Sequence, residues 1–448
     1  MKNLIFASTL LAGVSAALVA THAQKLSAPE FTAHEWGTFT SVQGSDGGLL
    51  IWRPLETSQL PGFVYNWSHP GFGRVAAPMV AGGKGAMITL QRLETPVIYF
   101  YSDQDLKVDV DVRFPHGYIT EWYPQANRIG PTIIKASATA AKSANNQQLK
   151  DAASQTVLSA YSAKDSRIEW SNLDILPARA NSEISATLPS DKSGNHYFTA
   201  RATDSAFVRT DIPSPSGKVS EHEKYLFYRG VGNFVTPLRI SMPSADTLNL
   251  TNTGTDALPH LFVLQLHQGQ GQLTQLDKLA AGASQSVQLN SENLPKSKLT
   301  RQVAAAMRDA LTSQGLYPRE AQAMVNTWKD SWFAEDGVRV LYILPRAWTD
   351  QTLPLEVKPR PRQLVRVMVG RAEIITPQVE SQLQRQLARA KAGDTQVRDQ
   401  IVAELKKLGR FAEPAIRRVT GSVKDPAVSQ LGWTLLQDAS KPTVASAH

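Results

Sequence analysis

The sequence contains no cysteine among its 448 residues. An exported chain of this kind has no disulfide staples, so its domains must be held by their cores alone. The same absence removes cysteine nucleophiles, iron–sulfur clusters, thiolate zinc sites and c-type haem attachment. Long hydrophobic runs are also missing: beyond the amino terminus no stretch reaches about 18 uninterrupted apolar residues, so no membrane-crossing helix is expected in the mature chain. Phosphate-binding loops are not evident. Gly82-Gly83-Lys84-Gly85 is glycine-rich but lacks the spacing and the Lys-Ser/Thr ending of a P-loop. The hydrolase elbow Gly-x-Ser-x-Gly is missing too, because Gly44-Ser45-Asp46-Gly47-Gly48 has the wrong order.

What is present begins with an export signal. Lys2 supplies a positive start, Leu4 to Ala20 is apolar and small, and Thr21-His22-Ala23 offers the small residues that a signal peptidase reads. Cleavage is expected after Ala23, with a membrane anchor as the alternative, and the mature product is expected in the periplasm or outside the cell. No cysteine follows the apolar segment, so a lipoprotein is not expected. Hydrophobic residues make up 42% and charged residues 19%, a balance that suits a folded, core-forming protein. The formal charge of +8 is compatible with anionic glycans or envelope lipids, or with a mildly basic surface that has no specific partner.

The most regular stretch runs from Glu94 to Pro124. Val108, Val110, Val112 and Phe114 alternate with Lys107, Asp109, Asp111 and Arg113, the period of a half-buried strand. Val97 to Tyr101 is apolar and aromatic. Ser102-Asp103-Gln104-Asp105 lies between as a short polar turn, so the pattern predicts an antiparallel hairpin. Residues 24–135 are read as a first antiparallel β unit, 136–165 as a polar insertion, and 166–290 as an immunoglobulin-like sandwich. Strands in the sandwich are expected at Arg167 to Trp170, His196 to Thr203, Lys224 to Tyr228, Leu238 to Met242, Thr247 to Thr251 and Leu261 to His267, with two more up to Leu289. Residues 291–376 read as a helix pair with strands: Leu299, Val303, Met307 and Leu311 recur every fourth residue, and Pro318 suits a first helical turn. Residues 377–440 form a helical, repeat-like tail with breaks at Gly393, Gly409 and Pro426, and 441–448 are expected to be disordered. The predicted class is therefore mixed and β-rich, with two β-sandwich-like units, an α/β segment and a helical tail.

Several segments are distinctive: His34-Glu35-Trp36-Gly37-Thr38-Phe39-Thr40, Glu94-Thr95-Pro96-Val97-Ile98-Tyr99-Phe100-Tyr101, Thr120-Glu121-Trp122-Tyr123-Pro124, Glu223-Lys224-Tyr225-Leu226-Phe227-Tyr228-Arg229-Gly230 and Trp328-Lys329-Asp330-Ser331-Trp332-Phe333. Together they resemble a group of signal-bearing bacterial proteins of no known activity, over most of the mature chain up to about Thr376. The resemblance implies a bacterial, periplasmic setting and carries no catalytic residue with it.

Candidate chemistry rests on three constellations. Glu35 and Glu121 each precede a tryptophan, Trp36 and Trp122. Indole faces stack on sugar rings, and a carboxylate against an apolar wall has the raised pKa that a general acid needs, so the pair is a candidate glycosidase couple. Core packing of both indoles, with the carboxylates paired to arginines, is the alternative. His34 and His196 with Glu223 form a conceivable divalent-metal site, against hydrogen-bonded histidines with no metal. Arg201, Asp204, Glu223 and Arg229, with His196 and Lys224, could line a polar groove in which the two arginines clamp a carboxylate or sulfate, or could be an ion-pair ladder. The resulting expectation is an exported ligand-binding or scaffold protein with a cleft between β units. The alternative is a secreted hydrolase, glycan-directed or metal-assisted. A small molecule or glycan is the expected ligand, the tail is a possible protein contact, and nucleic acid is not expected.

Overall fold

The computed structural model describes residues 30–55, 60–76, 87–131, 166–179, 181–191, 194–214, 217–289, 293–423 and 425–441. The expected signal peptide and the polar insertion lie outside the described residues.

In chain order the strands are β1 (Thr32–Gln43), β2 (Leu49–Leu50), β3 (Tyr65–Asn66), β4 (Gln91–Tyr101), β5 (Leu106–Phe114), β6 (Gly117–Tyr123), β7 (Arg128–Gly130), β8 (Ser166–Leu176), β9 (Phe207–Ser214) and β10 (Gly217–Glu223). They continue with β11 (Leu226–Gly232), β12 (Leu238–Ser244), β13 (Thr247–Asn252), β14 (Leu258–His267), β15 (Gln270–Leu279), β16 (Ser284–Gln288), β17 (Leu294–Pro295), β18 (Gly337–Ile343), β19 (Leu355–Lys358) and β20 (Gln363–Ile374). The helices are α1 (Lys296–Ser313), α2 (Pro318–Phe333), α3 (Arg346–Thr352), α4 (Pro377–Lys391), α5 (Thr395–Leu408), α6 (Ala412–Ser422) and α7 (Pro426–Ser440). The fold is mixed and β-rich with a carboxy-terminal helical region.

One large sheet dominates, in the order β17-β15-β14-β18-β20-β1-β4-β11-β6-β3, with β2 on the end of β1. β1 sits at its centre, parallel to β20 and antiparallel to β4. From Ala33 onward every β1 residue is buried, because both faces of the strand are covered. Phe39 meets Phe114 of a second sheet, ring centroids 6.4 Å apart. On the opposite face His34 Nδ1 lies 2.6 Å from the Glu320 carboxylate of α2. A strand covered on both sides has no solvated face and so loses the polar alternation of a surface strand.

The second sheet runs β10-β9-β8-β5-β19, with β7 on β8. β5 shows the predicted alternation, Val108, Val110, Val112 and Phe114 inward. Its partner is a correction: β4 and β5 are not a hydrogen-bonded hairpin. β4 pairs with β1 and β11, whereas β5 pairs with β8 and β19. The polar turn at Ser102–Asp105 passes the chain from one layer to the other, so the two strands face each other through side chains. The expected separation of residues 24–135 from 166–290 is corrected as well, since β11 is inserted between β4 and β6 of the first unit. Gly230 permits this close pairing: a Cβ there would lie 2.3 Å from the Tyr118 carbonyl oxygen.

His196 to Thr203, expected as a strand, is instead the 3-10 helix His196–Arg201, started by the Asn195 side chain accepting from the Tyr197 amide. A local side-chain cap outweighed the aromatic and β-branched composition. α1 buries Leu299, Val303, Met307 and Leu311 as its spacing predicts. α2 opens with Pro318, and the Tyr317 amide donates to Glu320.

The tail helices α4 to α7 share a second core built on Leu383, Leu387, Ile401, Leu405, Ile416 and Leu435. Val42, Trp52 and Ile375 of the main body belong to that same core, which docks the tail against the end of β1. Among the described residues no helix is long and apolar enough to cross a membrane.

Candidate functional site: a charged cleft over the central strand

The alternation of β1 sorts two groups of buried charge onto opposite faces. Glu35 points into the layer between the two sheets. Its carboxylate accepts from Tyr228 Oη at 2.5 Å and from Arg366 Nε at 2.6 Å. Arg366 also donates to Asp350 and to the Leu353 carbonyl oxygen. Burial and the Glu35 charge both push the Tyr228 hydroxyl pKa well up, so it stays a donor. Both carboxylate oxygens of Glu35 and all three nitrogens of Arg366 have partners. This cluster is sealed.

The other face carries Thr38 and Thr40. Register sets Arg371 on one side of Thr40 and Arg92 on the other, and Glu94 beside Thr38. Glu373 of β20 lies opposite Arg339 of β18. Arg339 grips Glu373 through Nε at 3.0 Å and Nη2 at 3.2 Å. Arg371 Nη2 reaches Glu335 at 2.7 Å and Glu373 at 2.9 Å. From the tail, Arg410 Nη1 donates to Glu94 at 2.9 Å. Arg229 and Glu121 are cross-strand partners joined by two 2.9 Å hydrogen bonds. Five guanidinium groups therefore meet four carboxylates on this face.

Crowding shows in the titration of the cluster. Burial lowers the pKa of Arg92 to about 10, with Arg229 and Arg410 adding to the shift against Glu94. Burial alone would raise Glu94; Arg92, Arg410 and Arg371 outweigh it and bring its pKa to about 2. In a low-dielectric interior, unpaired charge of either sign is costly, and this face is balanced only in part.

A cleft of about 610 Å³ opens onto the cluster. Its floor is Arg92, Glu94, Thr95 and Arg229; one wall is His196 and Thr199; the other is the end of α2 from Asn326 to Ser331, with Glu335; Arg410 closes the tail side. Thr95 has a left-handed φ of 42° at the bulge where the β1–β4 register shifts. A β-branched residue held there is strained, and such strain persists where the surroundings enforce it. The Thr95 hydroxyl and the Trp328 indole N–H are buried and have no hydrogen-bond partner among the described residues, nor have Arg410 Nε and Nη2. The His196 ring lies against Trp328, centroids 5.2 Å apart. Lost hydration lowers the His196 pKa, Glu94 opposes this, and Arg229, Arg92 and Arg410 reinforce it.

The sequence-predicted residues fall as follows. Glu35 and Glu121 are both buried and each is engaged by an arginine, so neither faces solvent as a hydrolytic acid would. Trp36 and Trp122 are fully buried, packed against Tyr99 and Trp67; no indole face is left for a sugar. Arg201 grips Glu223 through Nε at 2.8 Å and Nη2 at 2.6 Å, and Tyr197 donates to the same carboxylate. Asp204 is exposed and pairs with Arg319. These are the ion-pair reading of that constellation, not a free clamp. His34 bonds to Glu320 between the rings of Tyr101 and Tyr317. His34, His196 and Glu223 thus have different neighbours and do not form a composite site. Among the described residues no group of three or more His, Asp or Glu side chains could hold a metal ion.

Only His196 and Arg229 of the predicted set line the cleft. Arg92, Glu94, Thr95, Trp328 and Arg410 were not singled out. A signal existed for three of them: Glu94, Thr95 and Trp328 stand in the segments on which the bacterial resemblance rests, as does Arg229. Those segments, far apart in sequence, converge on one cavity.

No family model matches the chain, and no curated protein matches it. Among solved structures one similarity is to the yeast delta-COP-I mu-homology domain complexed with a Dsl1 WxWxV peptide, with a TM-score of 0.24 and 9% identity over 77% of this chain and 96% of that one. A similarity at that score does not define a shared fold.

Proposed function

We propose that this chain is an exported, periplasmic ligand-binding protein, and that its ligand occupies the cleft over the Thr38–Thr40 face of β1. The observation that carries this reading is the set of buried donors around the cleft, on Thr95, Trp328 and Arg410, that lack acceptors among the described residues. Buried donors normally find partners, and leaving one unmade costs roughly 1–3 kcal/mol. A bound molecule supplying acceptors offsets that cost. A hydrolase using Glu35 and Glu121 is disfavoured, because each carboxylate is hydrogen-bonded to a buried arginine and neither lines the cleft. Export rests on the Lys2 to Ala23 pattern, and periplasmic product beginning at Gln24 is its expected signature.

The test is a thermal-shift screen of the mature protein against neutral sugars, amino acids and organic and inorganic acids, repeated on Thr199→Trp, which fills the cleft. The expected result is stabilisation of the wild type by at least one compound, loss of that effect in Thr199→Trp, and recovery of the compound chemically unchanged. A screen without a single cleft-dependent ligand, or recovery of a cleaved product, would overturn the proposal.

A further inference from the structure

We infer that the ligand of this cleft presents an oxyanion, a carboxylate, sulfate or phosphate group, and that Arg410 of the helical tail is its principal anchor. The inference rests on the ligand-binding reading above and names the chemistry of that ligand. It follows from how this molecule uses its other arginines. The side-on edge of a guanidinium, Nε with Nη2, is the geometry that matches two carboxylate oxygens. That edge holds Glu121 in Arg229, Glu223 in Arg201 and Glu373 in Arg339. In Arg410 the same two nitrogens have no acceptor among the described residues, while Nη1 alone is spent on Glu94.

Arg410 also has the most exposed side chain of the five arginines in the cluster. Its side chain is 15% exposed, against 8% for Arg92, 4% for Arg229, 1% for Arg339 and 0% for Arg371. The Arg410 Cζ lies 4.9 Å from the centre of the Phe411 ring and 6.0 Å from that of Trp52, and the side chain lines the cleft from the tail side. The remaining donors are of the right kind. Thr95 Oγ1 and Trp328 Nε1 each lack a partner among the described residues, and both residues line the same cavity. Arg92 and Arg229 lie beneath, Arg92 beside Glu94 and Arg229 paired with Glu121. A neutral polyol would fit poorly, because each of its hydroxyls also brings a donor into a site already rich in donors.

The experiment is titration calorimetry and thermal unfolding of the mature protein with sodium sulfate, inorganic phosphate and succinate in separate arms. Sodium chloride at matched ionic strength and glucose are the controls. At least one oxyanion should bind and raise the unfolding temperature beyond chloride; the arm that binds most tightly identifies the head group. Arg410→Gln should weaken that binding tenfold or more. Thr95→Val, which keeps the side-chain shape, should weaken it severalfold. Arg389→Gln, which removes an exposed charge elsewhere on the tail, should leave it unchanged. If no oxyanion exceeds chloride, or if Arg410→Gln and Thr95→Val both bind as the wild type does, the inference fails. If glucose or another neutral compound binds and is lost in Thr199→Trp while the oxyanions do nothing, the oxyanion inference fails and the ligand-binding proposal stands.

Discussion

The two faces of β1 carry two buried ionic clusters with the same ingredients and different completeness. Between the sheets, Glu35, Tyr228 and Arg366 use their donors and acceptors on one another, on Asp350 at the rim and on the Leu353 carbonyl oxygen. On the opposite face, Arg371 and Arg410 leave donors without partners among the described residues, and a cleft adjoins Arg410. Residue type does not separate the clusters, since both hold carboxylates beside arginines in a β-rich core. Completeness does: a satisfied network fixes one packing arrangement, and an unsatisfied one beside a cavity marks a place for something else.

The largest expected effect comes from breaking the sealed cluster. Arg366→Met leaves Glu35 buried without its counter-charge and should cost about 3–5 kcal/mol in urea unfolding, with oxyanion binding by the remaining folded protein unchanged. A cost below about 1 kcal/mol would erase the distinction between the faces. Next is acid stability. Because the folded-state pKa of Glu94, about 2, lies below its ordinary 4.5, its contribution is present above pH 4.5 and is lost as pH falls toward 2. The loss should approach roughly 3 kcal/mol, at about 1.4 kcal/mol per pKa unit. Glu94→Gln should flatten this limb of the stability curve; an unchanged limb would show that other carboxylates carry it.

Smaller again is the stability cost of Arg410→Gln, roughly 1–2 kcal/mol, because Glu94 keeps Arg92 and Arg371 as neighbours while one charged hydrogen bond is lost. Its effect on ligand binding should far exceed its effect on folding, the reverse of Arg366→Met. The smallest effect concerns His196, which faces Glu94 and Arg92 of β4, Arg229 of β11, Arg410 of the tail, and Lys329 and Asp330 at the end of α2. Its pKa is depressed in the free protein, and a bound anion favours the protonated ring, so binding takes up a proton. Sulfate affinity, with a probe whose own charge is constant, should rise a few-fold from pH 7.5 to pH 5.5 and stay flat in His196→Gln.

Parts of this were legible in the sequence, and the division has a physical origin. The β5 alternation, the α1 spacing and the tail with its breaks at Gly393 and Gly409 are local patterns, and the structure carries each of them. Both glycines adopt positive φ, 100° and 53°, which a residue without a Cβ reaches at no steric cost. Strand partners were not legible, because β4 is buried on both faces and its composition does not say which strand lies beside it. The Glu-Trp dipeptides suggested a sugar site, yet alternation puts Glu35 and Trp36 on opposite faces and packing buries both. The Glu94–Arg410 contact spans 316 positions of sequence. Nothing local to either residue announces it. What the sequence did hold was the cluster of distinctive segments, seven of whose residues, Glu94, Thr95, Arg229, Trp328, Lys329, Asp330 and Ser331, line the cleft.

The most direct test is a crystal structure of the mature protein grown with selenate, located by its anomalous scattering. The account predicts a peak in the cleft, within hydrogen-bonding distance of Arg410 Nε and Nη2 and of the Thr95 hydroxyl. Selenate bound only elsewhere, with the Arg410 edge occupied by a carboxylate of the chain itself, would contradict it.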